Sequence, residues 1–298
     1  MKRILLILFL AGFSVSSLQP EPAKLKVVTS YSYIASITKE IAGIYAHVEP
    51  LAKGTWDPHF VVPRPSYIAK LRDADLFINN GAELETGWVP PLIKQANNDK
   101  LNGNGILELA MYIKLQGIPK KLSRAQGDVH PEGNPHFILD PNNVLLAAQA
   151  IQKRLSEIDP SHDQDYKKNL ENFSKRWRDK LVAWSQAMAK LKGQPVVQYH
   201  GLFNYLLNSY GIKLEGTVER LPGIPPTAKH LEYLEKLIAE KGITIIIQDV
   251  YNPEDATRAL VKKLHIKMIV LPHDVGAVDG ASDIFSLFDE IVRRLTHD

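Results

Sequence analysis

AKHLEYLEKLIAEKGITIIIQD, residues 228–249, holds a helix, its stop signal and a strand in one run. Thr227 stands where an N-cap belongs, and Gly242 supplies the residue that most easily leaves a helix through left-handed backbone. ITIIIQD (243–249) then reads as a strand with apolar residues on both faces, the pattern of a strand buried inside a parallel sheet. A strand of that kind needs helices above and below it, so the fold is α/β.

The same alternation extends in both directions. PVVQYH (195–200) reads as a strand, GLFNYLLNSYG (201–211) as a helix, IKLEGTV (212–218) and IKMIVLP (266–272) as strands. Asn252-Pro253-Glu254-Asp255 opens a helix with acids in its first turn and Lys262, Lys263 and His265 in its last, matching the helix dipole. A final helix covers about residues 283–296. In the first half, LKVVTS (25–30), HVEPLA (47–52) and LFINN (76–80) read as strands, with helices over 33–44 and 65–74. Between the halves, Tyr166, Leu170, Phe173, Trp177, Leu181, Trp184, Met188 and Leu191 recur in steps of three and four, one stripe along a single long helix. The expected organisation is an N-terminal α/β lobe (18–159), a linking helix (160–192) and a C-terminal α/β lobe (193–298), each lobe built on a mainly parallel sheet.

The first residues read as an address. Lys2 and Arg3 precede an apolar run, Ile4 to Phe13, too short to span a bilayer, and small residues follow at 14–17. Residues 1–17 are therefore expected to be a cleaved signal peptide, the alternative being an uncleaved N-terminal anchor. Removing them takes away Lys2 and Arg3 and no acid, lowering the formal charge from +3 to +1. That balance gives no electrostatic case for a nucleic-acid partner. The 298 residues contain no cysteine, which excludes thiolate ligands, catalytic thiols and a lipid-anchoring cysteine. The expectation is a free periplasmic protein.

Ten histidines are present. His47, His162, His230, His265 and His297 sit in strands, on helices or in the tail and have ordinary readings. His59 and His136 do not. WDPHFVVPRPS (56–66) and NPHFILDP (134–141) place each directly after a proline and just before a helix, and Asp140-Pro141 reads as N-cap and first helical residue. His200 sits between a strand and the helix begun by Gly201. In a parallel sheet the strand carboxyl ends face one crevice, where ligands bind. Three stiffly held imidazoles there suit a divalent cation, with an anionic fourth partner. Asp274, in VLPHDVGAV (270–278), follows a strand directly and is the expected carboxylate. Asp249 and Glu219 are the runners-up, His273 is its neighbour, and His130 and Glu132 are placed to act as a gate or secondary ligand.

These pieces carry a resemblance. WDPHFVVPRPSYIAKLRDADLFINNGAELE, GNPHFILDP, VQYHGLFNYLLNSYG and LPGIPPTAKHLEYLEKLIAEKGI together resemble the periplasmic metal-binding subunits of zinc and manganese ABC transporters, over nearly the whole mature chain. The resemblance implies two α/β lobes joined by one backbone helix, a metal in the interlobe cleft, ligands at His59, His136, His200 and Asp274, and no catalysis. It implies zinc, with manganese as the alternative, since manganese prefers more oxygen ligands. The implied partner is an ABC permease, and one receptor docking one permease needs only a monomer. The surroundings of Asp274 depart from the family pattern. The chain also lacks the long His- and acid-rich loop of many zinc receptors, having only His130 in its loop 115–133. A secreted zinc hydrolase is the rival reading, but the sequence has no HExxH and no nucleophile elbow. A receptor for an organic chelate would want a wide aromatic or basic cleft instead.

Overall fold

The computed structural model describes residues 24–119 and 130–297. The expected signal peptide and the middle of the 115–133 loop lie outside the described residues. Two four-stranded sheets, all parallel, form the frame. The first is ordered β2-β1-β3-β4, from β1 (Leu25–Thr29), β2 (Ala46–Pro50), β3 (Leu76–Asn79) and β4 (Ile106–Glu108). The second is ordered β6-β5-β7-β8, from β5 (Pro195–Gln198), β6 (Lys213–Thr217), β7 (Ile245–Asp249) and β8 (Lys267–Leu271). Each lobe thus repeats the same order, with its first strand beside its second and third. β4 is absent from the sequence reading because three residues are too few to show a period.

Helices α1 (Ser32–Ala42), α2 (Pro65–Arg72), α3 (Val89–Ala96) and α4 (Pro141–Ile158) belong to the first lobe. Asp140 accepts from Asn142 N at the start of α4, with Pro141 at its first position, as its sequence predicts. The long helix α5 spans Asp163–Met188 and is extended at both ends by single 3-10 turns, Pro160–His162 and Ala189–Leu191. At 1.5 Å per residue its α-helical part is roughly 39 Å long. Its predicted stripe is its buried face: Tyr166, Phe173, Trp177, Trp184, Met188 and Leu191 are buried, and Leu170 and Leu181 pack partly against the core.

The second lobe adds α6 (Asn204–Ser209), α7 (Ala228–Lys241) and α8 (Asp255–Leu264). α6 is shorter than the 201–211 run suggested, since Gly201–Phe203 turn before the helix begins. Thr227 accepts from His230 N, and Gly242 closes α7 with φ 61°. The last helix, α9 (Ile284–His297), leaves the second lobe and returns to the first. Ser36 on α1 accepts from Ile284 N at 2.9 Å, and Asp289 receives Lys180 Nζ and Trp184 Nε1 from α5. Trp177 is the centre of the α5–α9 seam, with Trp184, Phe285 and Phe288 at ring separations of 5.0, 5.0 and 5.4 Å. One hydrophobic core consequently runs from the first sheet through α5 and α9 into the second lobe, and a smaller one fills the far face of the second sheet. Among the described residues no helix is long and apolar enough to cross a membrane.

Candidate metal centre

His59 lies in the loop between β2 and α2, His136 in the loop between β4 and α4, and His200 two residues beyond β5. All three follow strand carboxyl ends, and the lobes turn those ends toward each other. The ring centroids of His59 are 5.1 Å from His136 and 5.2 Å from His200, and His136 lies 5.6 Å from His200. One ligand atom from each falls within 4.8 Å of the others. Among the described residues this is the one group of three or more His, Asp or Glu side chains with ligand atoms so gathered.

Local chemistry explains the placement. In both Pro-His segments the residue before the proline is Asp or Asn, and its side chain turns back on the histidine's own backbone. His59 N donates to Asp57 Oδ1 and His136 N to Asn134 Oδ1, both at 2.9 Å. These are Asx turns, and the intervening proline stiffens them. The proline carbonyls are anchored as well: Tyr31 OH donates to Pro58 O at 2.8 Å, and Asn80 Nδ2 to Pro135 O at 3.1 Å. Asx-Pro-His, rather than Pro-His alone, is the signal that sequence reasoning overlooked.

The ring tautomers follow from the neighbours. His59 Nδ1 is 2.8 Å from Asp57 Oδ1, and His200 Nδ1 is 2.5 Å from Glu219 Oε2. A carboxylate oxygen accepts, so each Nδ1 is the donor of its pair and Nε2 is the nitrogen left for an ion. Nε2 of His59 and Nε2 of His136 are buried and have no hydrogen-bond partner. Burying unpaired ring nitrogens is unfavourable unless something else is to meet them. Burial, with the neighbouring His59 and His200, holds the His136 ring well below its ordinary pKa, so it is neutral near pH 7. Asp57 sits below its ordinary value because the His59 hydrogen bonds and charge outweigh the opposing effect of burial. Three imidazoles, two of them oriented by carboxylates that also balance charge, are a donor set that divalent zinc-like ions take.

The carboxylates expected from the sequence make the following contacts. Asp274 follows β8 as expected, but it stands outside the gathered group. Its Oδ1 accepts from Tyr33 N and Val275 N, both at 2.6 Å, and its Oδ2 from Ser32 N at 3.2 Å. It caps α1, which has no cap of its own from Tyr31. Burial lifts its carboxyl to about 7, with those backbone N–H groups acting against the rise. Asp249 caps its own turn, accepting from Tyr251 N and Asn252 N. Glu219 orients His200 and takes Gly223 N on its other oxygen at 2.8 Å. His273 Nε2 is 3.2 Å from Trp56 O, and burial holds this ring at about 4. His130 comes to 5.4 Å from His59, ring to ring, while Glu132 is exposed.

Two cavities meet at His59. One, about 450 Å³, opens on the second lobe past His200, Glu219 and Tyr251, and the other, about 430 Å³, lies on the first lobe beneath His130 and Trp88.

Comparison with known proteins bears on the family and the fold. The family model of the zinc-uptake complex component A, periplasmic, ZnuA, matches residues 27–297. The zinc-binding lipoprotein AdcA of Streptococcus pneumoniae is 28% identical over 248 residues, covering 81% of this chain and 47% of AdcA. The manganese ABC transporter substrate-binding lipoprotein PsaA of Streptococcus pneumoniae is 31% identical over 235 residues, covering 76% of this chain and 72% of PsaA. The chain thus spans about half the length of AdcA. A Mn-bound periplasmic metal binding protein from Candidatus Liberibacter asiaticus has the same fold, with a TM-score of 0.78 at 21% identity, covering 92% of this chain and 98% of that one.

Proposed function

The chain belongs to the periplasmic zinc-uptake component A family, a family of transport components rather than enzymes, and from that premise we propose that it captures a divalent metal ion between its lobes and delivers it to an ABC permease. The ion is zinc, held by His59, His136 and His200. The protein acts outside the cytoplasm as a monomer, exported by the signal peptide at 1–17.

One observation carries this reading: three imidazoles from distant parts of the chain, two from one lobe and one from the other, gather their ligand atoms within 4.8 Å, and two of the nitrogens are buried without a partner. Nitrogen donors favour zinc over manganese, whose sites are rich in oxygen. The relatives include both a zinc-binding and a manganese-transporting protein, so the donor set supports the choice between them.

A thermal melt with zinc, manganese or a chelator tests the proposal. If the ion binds only the folded state, zinc at about 1,000 times its dissociation constant adds about 4 kcal/mol of apparent stability. Zinc is expected to raise the melting temperature more than manganese at equal concentration, and the chelator to reverse the rise. No shift with either ion contradicts the proposal.

A further inference from the structure

We propose that Tyr31 and Tyr33, stacked at the start of α1, are positioning residues for the metal centre: they fix how far apart His59 and His136 stand, and so favour zinc over manganese. The inference rests on the metal-receptor reading above and deepens it.

The two Pro-His segments come from different loops, yet each has its proline–histidine peptide held on both edges. On the N–H edge, His59 N and His136 N turn back to Asp57 and Asn134 at 2.9 Å. The carbonyl edge belongs to the tyrosines. Tyr31 OH donates to Pro58 O directly, at 2.8 Å. Tyr33 acts through one intermediary: its OH donates to Asn80 Oδ1 at 2.5 Å, and Asn80 Nδ2 donates to Pro135 O at 3.1 Å and to Gly81 O at 3.0 Å. Those two carbonyls require the N–H groups of the Asn80 amide, so its oxygen faces the tyrosine and the hydroxyl is the donor. A peptide group is planar, and a plane gripped at both its N–H and its carbonyl leaves the histidine Cα little freedom.

The tyrosines form one unit. Their rings lie 5.8 Å apart and within 12° of parallel, with only 2% and 5% of each residue exposed. Burial, with the charge of Glu85 nearby, lifts both phenols above their ordinary pKa, so each keeps the proton it donates. Asn80 is fully buried and is itself fastened, its N–H to Glu85 Oε1 at 2.7 Å and its carbonyl to Ala110 N at 2.9 Å. The path from Pro58 to Pro135 thus runs through two stacked rings and one buried amide. The same turn of α1 also meets the second lobe, where Tyr33 N and Ser32 N donate to Asp274.

Selection among divalent ions comes from geometry as well as from ligand type. A spacing set before the ion arrives spares the cost of ordering the ligands on binding. Without a tyrosine hydroxyl, one proline–histidine peptide is free to turn and must be ordered when the ion binds. The ion that fits the preset spacing loses most.

The test measures zinc and manganese affinity by chelator competition in the full chain, for wild type, Tyr31→Phe and Tyr33→Phe. Thr38→Val is the control for stability, since it removes a buried hydroxyl whose hydrogen bond, to Ile34 O at 2.8 Å, stays inside α1. Each phenylalanine variant is expected to lower zinc affinity by about tenfold, the scale seen when the supporting partners of a ligand are lost. Manganese affinity is expected to fall less, so the zinc-to-manganese ratio drops, whereas Thr38→Val lowers the melting temperature and leaves the ratio unchanged. In protein labelled with 15N-histidine and loaded with 113Cd as an NMR-active substitute for zinc, Tyr31→Phe is expected to move chiefly the His59 signal and Tyr33→Phe chiefly the His136 signal. Either variant suffices if the other fails to fold. An unchanged ratio in the folded variants, or a fall in affinity no larger than in Thr38→Val, overturns the proposal. So do His59 and His136 signals that stay at their wild-type positions. Wild-type protein that binds neither ion would instead defeat the underlying reading of the site.

Discussion

At the scale of single residues, the site is a set of three imidazoles, two of which have their second nitrogen held by a carboxylate. Asp57 and Glu219 fix His59 and His200 through Nδ1 and leave Nε2 free. The histidines were legible in the sequence because proline and strand–helix junctions marked them. The carboxylates were less so. Glu219 reads in the sequence as a candidate ligand, and Asp57, two residues before His59 in the same turn, carries no local signal of its role at the ring. A sequence shows that a carboxylate is near a strand end, but not which atom its oxygens face. Glu85 illustrates the cost of burying one. Both its oxygens accept backbone N–H groups, from Asn80 and Gly81 at 2.7 and 3.0 Å, and burial raises its carboxyl to about 7. The folded state therefore holds this proton more tightly than the unfolded chain does, and the stability it contributes is lost as pH rises from about 4.5 to about 7. Comparing wild type with Glu85→Gln by urea unfolding, the variant should gain about 2.5 kcal/mol relative to wild type between pH 5 and pH 8. A difference that stays flat across that range would refute the assignment.

At the scale of elements, the first helix depends on the last lobe. α1 begins without a capping side chain of its own, and Asp274, more than two hundred residues away, accepts its first two free N–H groups. In the sequence Asp274 reads as a ligand because it follows a strand on the edge where ligands gather. It follows that strand as expected, yet the same edge also receives the start of α1, and helix capping is a long-range contact that no local pattern reveals. Gly54 marks the same crossing, since a Cβ there would stand 2.1 Å from Val275 O. Asp274→Asn keeps the shape but surrenders an acceptor. It is expected to lower stability by about 1–2 kcal/mol, the scale of a lost cap, and to leave zinc affinity within about twofold. Denaturant unfolding and a chelator titration on the same sample check both halves, and a large loss of affinity without loss of stability would reverse the assignment. The helices themselves were the most legible part of the chain: the α5 stripe predicted its buried face almost residue by residue, because a period of three and four over 26 residues leaves little ambiguity.

Over the whole molecule, the lobes are joined by more than one connector. α5 packs on α1 and α4 of the first lobe and on α9, which comes back from the second lobe and also meets α1, and the Asp274 cap and the Asn134–Gly201 and Tyr205–Asn134 hydrogen bonds cross between the lobes. The alternation of strands and helices announced two parallel sheets, but the return of α9 did not show in the sequence, since an amphipathic helix does not say which of two lobes its apolar face meets. These ties argue against the wide hinge closure found in receptors with flexible linkers. Small-angle scattering should give the same radius of gyration, within error, for the chelator-treated and zinc-loaded protein; a clear contraction on loading would show that the ties yield. The account as a whole turns on whether imidazoles from both lobes share one ion. The direct measurement is a zinc titration of wild type and His136→Ala against a chromophoric chelator, with folding of both checked by circular dichroism. The account predicts one tightly bound zinc per wild-type chain and an affinity lower by at least about tenfold in the variant; one equivalent bound with equal affinity by both would contradict it.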